Sequence, residues 1–194
     1  MRRVAPFVSV VALVLASCST DDGRGMKPPD AGQTESVAIA TTTVDAGAGS
    51  PLLLTFPWTE GGAIDARYTC DGNNVSPAVS WTGGPEDVSA WAVILTDLDA
   101  PEFAHWTVAN IDASATGIAE GAVPELAAVG MNNDAKPDYT GPCPPEGTTH
   151  RYSLSVYALS QVIEAQTGDP SASMRAAIEA AAMEVSTSEF TYSR

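Results

Sequence analysis

Tyr152-Ser153-Leu154-Ser155-Val156-Tyr157-Ala158-Leu159 alternates apolar and polar side chains for most of its length, the period of a strand with one buried face. Four other runs share its character. Leu52-Leu53-Leu54-Thr55-Phe56, Ala78-Val79-Ser80-Trp81, Trp91-Ala92-Val93-Ile94-Leu95 and Trp106-Thr107-Val108-Ala109-Asn110-Ile111 are rich in aliphatic, β-branched or aromatic residues. Clusters of Gly, Pro and Asn separate these runs, and the strand–helix–strand rhythm of a parallel sheet is missing. The pattern predicts a mainly β domain, an antiparallel β-sandwich, with one C-terminal helix. Asp169 is placed to cap that helix and Pro170 suits its first turn. Met174, Ala177, Ile178, Ala181 and Val185 then share one face at helical spacing, through about Val185.

The sandwich fills residues 51–194, close to the common size of one domain. Upstream, Arg2-Arg3 precedes an apolar run from Pro6 to Ala16 that ends in Leu15-Ala16-Ser17-Cys18. That run is shorter than the roughly 20 residues of a spanning helix and reads as a cleaved export signal, residues 1–17. A cysteine directly after small residues resembles the lipobox of bacterial lipoproteins. It predicts a mature chain that begins at Cys18, anchored through acyl chains on the outward side of the cell membrane. An ordinary signal peptide with an incidental cysteine is the alternative. Residues 18–50, rich in Thr, Ser, Ala, Gly, Pro and Asp and without a sustained period, read as a flexible linker.

Charge narrows the partners. Nine Lys and Arg face 24 Asp and Glu, a formal −15, and cleavage before Cys18 would remove two arginines and no acid. Such a field repels nucleic acid and anionic lipid surfaces, so an anionic ligand has to be held locally, by histidine, Arg151 or backbone N–H groups. With Cys18 assigned to lipid, Cys70 and Cys143 remain. An oxidising exported compartment predicts a disulfide between them, with two free buried thiols as the alternative.

Both histidines of the chain lie in short clusters of pocket-forming residues. Asp97-Leu98-Asp99-Ala100-Pro101 supplies two carboxylates, and His105-Trp106 follows. Gly141-Pro142-Cys143-Pro144-Pro145 forms a turn before His150-Arg151-Tyr152. On an extended segment Asp97 and Asp99 point to the same side. His105 and His150 held by those carboxylates would carry more positive charge and present N–H to an anion. The turn would offer free backbone groups, and Trp106, Tyr139 or Tyr152 would wall the site. Each feature also has a structural reading: turn-forming aspartates, satisfied core histidines and core aromatics.

Taken in order, Tyr68-Thr69-Cys70-Asp71-Gly72, Ser76-Pro77, Asp97-Leu98-Asp99-Ala100-Pro101, His105-Trp106, Asn132, Tyr139 to Pro145 and His150-Arg151-Tyr152 resemble the phosphatidylethanolamine-binding protein family. The likeness is to its bacterial, Raf-kinase-inhibitor-like branch. The resemblance covers nearly the whole domain. It implies a sandwich with a small pocket for phosphate-like or carboxylate anions, including phospholipid headgroups. The pocket residues it implies are Asp97, Asp99, His105, Gly141, Pro142, His150 and Tyr152, with Pro101 and Trp106 beside them, and no cofactor or required metal. Leu98 stands where the family usually has proline.

The leading expectation is a membrane-tethered binding protein for a small anionic or zwitterionic ligand, without turnover. A kinase-regulator-like or protease-inhibitor-like interaction module is the second. A metal-dependent hydrolase, with two Asp and two His ligating an ion, is the third, disfavoured because the histidines lack metal-ligand spacing. A nucleophile-based hydrolase ranks below it, since no Gly-x-Ser-x-Gly motif occurs.

Overall fold

The computed structural model describes residues 49–194. The export signal, Cys18 and nearly all of the linker therefore lie outside the described residues. Two antiparallel sheets form the body. β1 (Ser50–Thr55), β2 (Val79–Gly84) and β5 (Gly117–Ile118) make a three-stranded sheet in the order β1-β2-β5. β3 (Ala90–Asp97), β4 (Ala104–Asp112), β6 (Ala128–Val129), β7 (Thr149–Leu159) and β8 (Ala182–Ser193) make a five-stranded sheet in the order β6-β4-β3-β7-β8. The sandwich expected from the strand pattern is thus the fold.

The inter-sheet core joins Leu52 and Trp81 of the small sheet to Val93, Leu95, Trp106, Val108, Leu154, Val156 and Phe190 of the large one. The large sheet is buried on its other face as well. There Ala92, Ile94, Ala109 and Leu159 meet Met174, Ile178 and Ala181 of α1 (Ser171–Ala181). Burial on both faces explains why Trp91 to Leu95 reads as an unbroken apolar run. In β7 the alternating Ser153 and Ser155 are buried too, so its polar face is covered rather than exposed.

Two expectations at the C-terminus need correction. The helix ends at Ala181, and Val185, half exposed, belongs to the twelve-residue strand β8. Its start carries no side-chain cap, since the Asp169 carboxylate accepts the Gln166 N–H instead. The chain turns from helix to strand at Ala182 without Gly or Pro, so no breaker marks the change. β8 pairs with the whole of β7, from Leu159 opposite Ala182 to Thr149 opposite Ser193.

The strand pairings assemble one corner of the large sheet. Asp97, the last residue of β3, lies opposite Tyr152, which lies opposite Phe190, and His150 lies opposite Tyr192. A β-bulge on β4, where Leu95 and Thr96 face Trp106 and Ala104, leaves His105 as the extra residue and re-aims its side chain. Cys70 and Cys143 form a disulfide that joins the segment after Tyr68 to the Gly141–Pro145 turn. The Cys70 N–H donates to the Pro142 carbonyl beside it.

Candidate ligand-binding site

Asp97, His105, His150 and Tyr152 meet at this corner. His150 Nδ1 lies 2.7 Å from Asp97 Oδ2, and both side chains are largely buried, 19% and 5% exposed. Because a carboxylate only accepts, Nδ1 carries the proton and Nε2 is the ring's remaining polar atom. Asp97 is itself fixed: its other oxygen accepts the N–H groups of Asp99 and Ala100 at 2.8 and 3.0 Å. This Asx turn ends β3.

The turn also separates the two aspartates. The residues after Asp97 do not continue extended, so Asp99 does not share its side. Asp99 is exposed and accepts the Arg151 N–H, tying the loop to β7. Its position supports the site without entering it.

His105 differs from the expectation too. Its Nδ1 meets the Thr140 carbonyl at 2.8 Å, not a carboxylate. Burial holds its pKa below the usual histidine value, against the opposing pull of that carbonyl and of Asp97. A neutral ring that donates from Nδ1 presents Nε2 as an acceptor. His105 therefore offers a lone pair where an N–H donor was expected.

Tyr152 packs between these groups. Its ring stacks on Phe190 at 5.4 Å, meets His105 edge-on at 5.5 Å and lies 6.3 Å from His150. Its hydroxyl is buried close enough to the Asp97 carboxylate to feel its pull, but makes no bond that meets the distance and angle of a hydrogen bond. Burial, together with the nearby Asp97 carboxylate, pushes the phenol's pKa far up, so it remains a donor.

The turn is less open than expected. The Gly141 N–H donates to Asn74 Oδ1 at 2.7 Å, and a Cβ at Gly141 would stand 2.1 Å from the Tyr68 carbonyl oxygen. Close approach of two chain segments therefore demands glycine here. Pro142 is buried beside it. Trp106 and Tyr139 pack edge-on in the inter-sheet core, and the Tyr139 hydroxyl donates to the Tyr68 carbonyl. Neither walls the site. Pro101 is exposed at the tip of its loop and lines a different cleft, with Phe103. Thr140, Asn74 and Phe103 are the site's unforeseen members. The first two act through a backbone carbonyl and a turn, which leave no pattern in sequence, whereas Phe103, its ring tilted against His105 at 4.5 Å, was a visible aromatic two residues away. Among the described residues no group of three or more His, Cys, Asp or Glu is placed to hold a metal ion.

The chain and its fold match a known family. The model of the phosphatidylethanolamine-binding protein family matches residues 55–193, and the chain belongs to that family. A UPF0098 protein of Methanothermobacter thermautotrophicus is 40% identical over 123 residues, covering 60% of this chain and 81% of that one. A Mycobacterium tuberculosis protein named as a candidate lipoprotein, LppC, is 31% identical over 176 residues, covering 87% of this chain and 85% of its own. Among solved structures, Escherichia coli YbcL, described as a member of the mammalian family, superposes with a TM-score of 0.70 at 26% identity. That match covers 75% of this chain and 99% of YbcL.

Proposed function

We propose that this protein is a membrane-tethered binding module for a small phosphate- or carboxylate-bearing ligand, with a zwitterionic headgroup such as phosphoethanolamine as its best fit. The observation that carries the reading is the Tyr152 hydroxyl, buried without a partner beside the Asp97–His150 pair. A buried unpaired hydroxyl costs about 1–3 kcal/mol. Such a group calls for an explanation. The Trp81 and Trp106 Nε1 groups are also buried without a partner but lie in the inter-sheet core, whereas the Tyr152 hydroxyl sits beside the buried Asp97–His150 pair, which is what favours a ligand there. Tyr152 O–H supplies a donor for the anion, and His150, held by Asp97 through Nδ1, adds Nε2, which donates when the ring carries a second proton. The His105 Nε2 lone pair supplies an acceptor for the ammonium. No nucleophile or metal enters this account, and binding does not lead to turnover.

The tether belongs to the proposal on two grounds: the Leu15-Ala16-Ser17-Cys18 sequence and the lipoprotein name of the mycobacterial relative. Cleavage before Cys18 and acylation of that cysteine would place the site on the outer side of the membrane. Among the described residues no helix is long and apolar enough to cross a membrane.

Calorimetric titration of the full chain with phosphate, ethanolamine and phosphoethanolamine tests the reading. Saturable binding of phosphoethanolamine, weaker binding of phosphate and still weaker binding of ethanolamine is the expected order. Absence of any heat or amide shift with all three, in a folded protein, would refute it.

A further inference from the structure

On the opposite face of the large sheet lies a cleft of about 800 Å³ bounded by Pro101, Phe103, Ala104, Met131, Pro170 and Arg175. Its size falls within that of small-molecule pockets, roughly 300–1,000 Å³. We propose that it is a second binding site, for a small amphiphilic anion: a carboxylate or phosphomonoester carrying a short apolar chain. Arg175 is its anchor.

Charge is the first support. Among the described residues the arginines other than Arg175 each lie near a carboxylate: Arg67 at 3.5 Å from Glu120, Arg151 at 3.9 Å from Asp99 and Arg194 at 3.0 Å from Asp71. Among the described residues Arg175 has no carboxylate within salt-bridge distance. Its polar partner among the described residues is the Thr96 hydroxyl, which accepts from a guanidinium nitrogen at 3.0 Å. In a chain of formal charge −15 an arginine has many acids to pair with, so one left unpaired in a cleft has its remaining N–H groups available to an anion. The Thr96 bond also pre-orients the fork, which lowers the entropy lost on binding.

The lining gives the apolar half of the ligand. Pro101 and Phe103 of the β3–β4 loop, Ala104 at the start of β4, Met131 and Pro170 present little that bonds a polar chain. A Met beside an aromatic ring adapts to chains of differing shape. Glu102 also borders the cleft but is exposed at its rim, where solvent screens its charge.

The cleft is separate from the Tyr152 site. Thr96 and Asp97 are adjacent on β3 and face opposite sides of the sheet, and Phe103 stands between, packed on His105 while lining the cleft. The proposal therefore holds or fails independently of the headgroup reading.

Titration of the ¹⁵N-labelled full chain with sodium octanoate and with hexyl phosphate tests it, with inorganic phosphate as the head-only control. Octanoate or hexyl phosphate is expected to shift the amides of residues 102–104, 131–133 and 171–175 saturably, and the tighter of the two identifies the anionic head. Arg175→Gln should weaken that binding at least about tenfold, the loss of a charge-assisted hydrogen bond. Glu102→Gln should tighten it, and His150→Ala should leave it unchanged while abolishing phosphoethanolamine binding. If Arg175→Gln loses its dispersed spectrum, Thr96→Val decides instead: it unties the guanidinium without removing charge and should weaken binding severalfold. Equal affinity in a folded Arg175→Gln, shifts confined to His150 and Tyr152, or no saturable shift would each overturn the proposal.

Discussion

Tyr152→Phe separates stability from binding. The substitution removes one oxygen and leaves the ring on Phe190 and against His105, so the packing of this fully buried side chain is retained. In an ordinary buried tyrosine the change removes a hydrogen bond and destabilises by about 1 kcal/mol. Here the hydroxyl has no partner, so the folded state carries its desolvation without return. Removing it should stabilise the protein by about 1 kcal/mol, at the low end of the cost of an unsatisfied buried group. For a domain of this size that corresponds to a melting temperature about 3–4 °C higher. The same variant should bind phosphoethanolamine roughly 10–100-fold more weakly, the loss of a hydrogen bond to a charged ligand. Urea melts and calorimetric titrations of the two proteins measure both effects. A Tyr152→Phe variant destabilised by about 1 kcal/mol or more would show that Asp97 already satisfies the hydroxyl, and the reasoning from an unpaired donor would fall.

Three further outcomes follow from the same geometry. The depressed pKa of His105 means that the unfolded chain takes up a proton first as pH falls below about 6.5, so this residue's share of stability is intact above that pH and declines below it. His105→Gln should therefore lose less stability between pH 7.5 and 5.5 than the parent, measured by urea melts at both pH values; an equal or greater loss would place the histidine in a charged state. Gly141→Ala drives a methyl group to 2.1 Å from the Tyr68 carbonyl oxygen, a backbone atom that cannot swing aside. It should cost about 2–3 kcal/mol and weaken headgroup binding, which denaturant melts and titration would report. Replacing Cys70 and Cys143 together by serine opens a loop whose ends are 73 residues apart, and should cost about 4 kcal/mol on the loop-entropy model, read as a shift in the urea midpoint.

The strand pattern was legible because burial shows directly in residue type. β3, covered on both faces, reads as an apolar run, and β7 shows alternation. β8 was hidden because α1 passes into it without a breaker, and Val185 falls at a spacing that fits both helix and strand. Val185, Thr187, Phe190 and Thr191 are β-favouring residues that could have signalled it. At the site, the motifs brought together Asp97, His105, His150 and Tyr152, which separate strands deliver to one corner. Partnership was less legible than proximity. That His105 bonds a backbone carbonyl, that Asn74 occupies the Gly141 N–H and that Asp99 turns outward depend on loop geometry, and no residue spacing encodes it.

With two histidines in the chain, ¹⁵N labelling of histidine alone gives a ring spectrum in which each site nitrogen can be followed. In the free protein both rings should be protonated at Nδ1, with His105 neutral at pH 7. Saturation with phosphoethanolamine should move the Nε2 resonances of His150 and His105 together, with one affinity. Binding that leaves both Nε2 signals in place, or no binding, would contradict the assignment of this corner as the headgroup site.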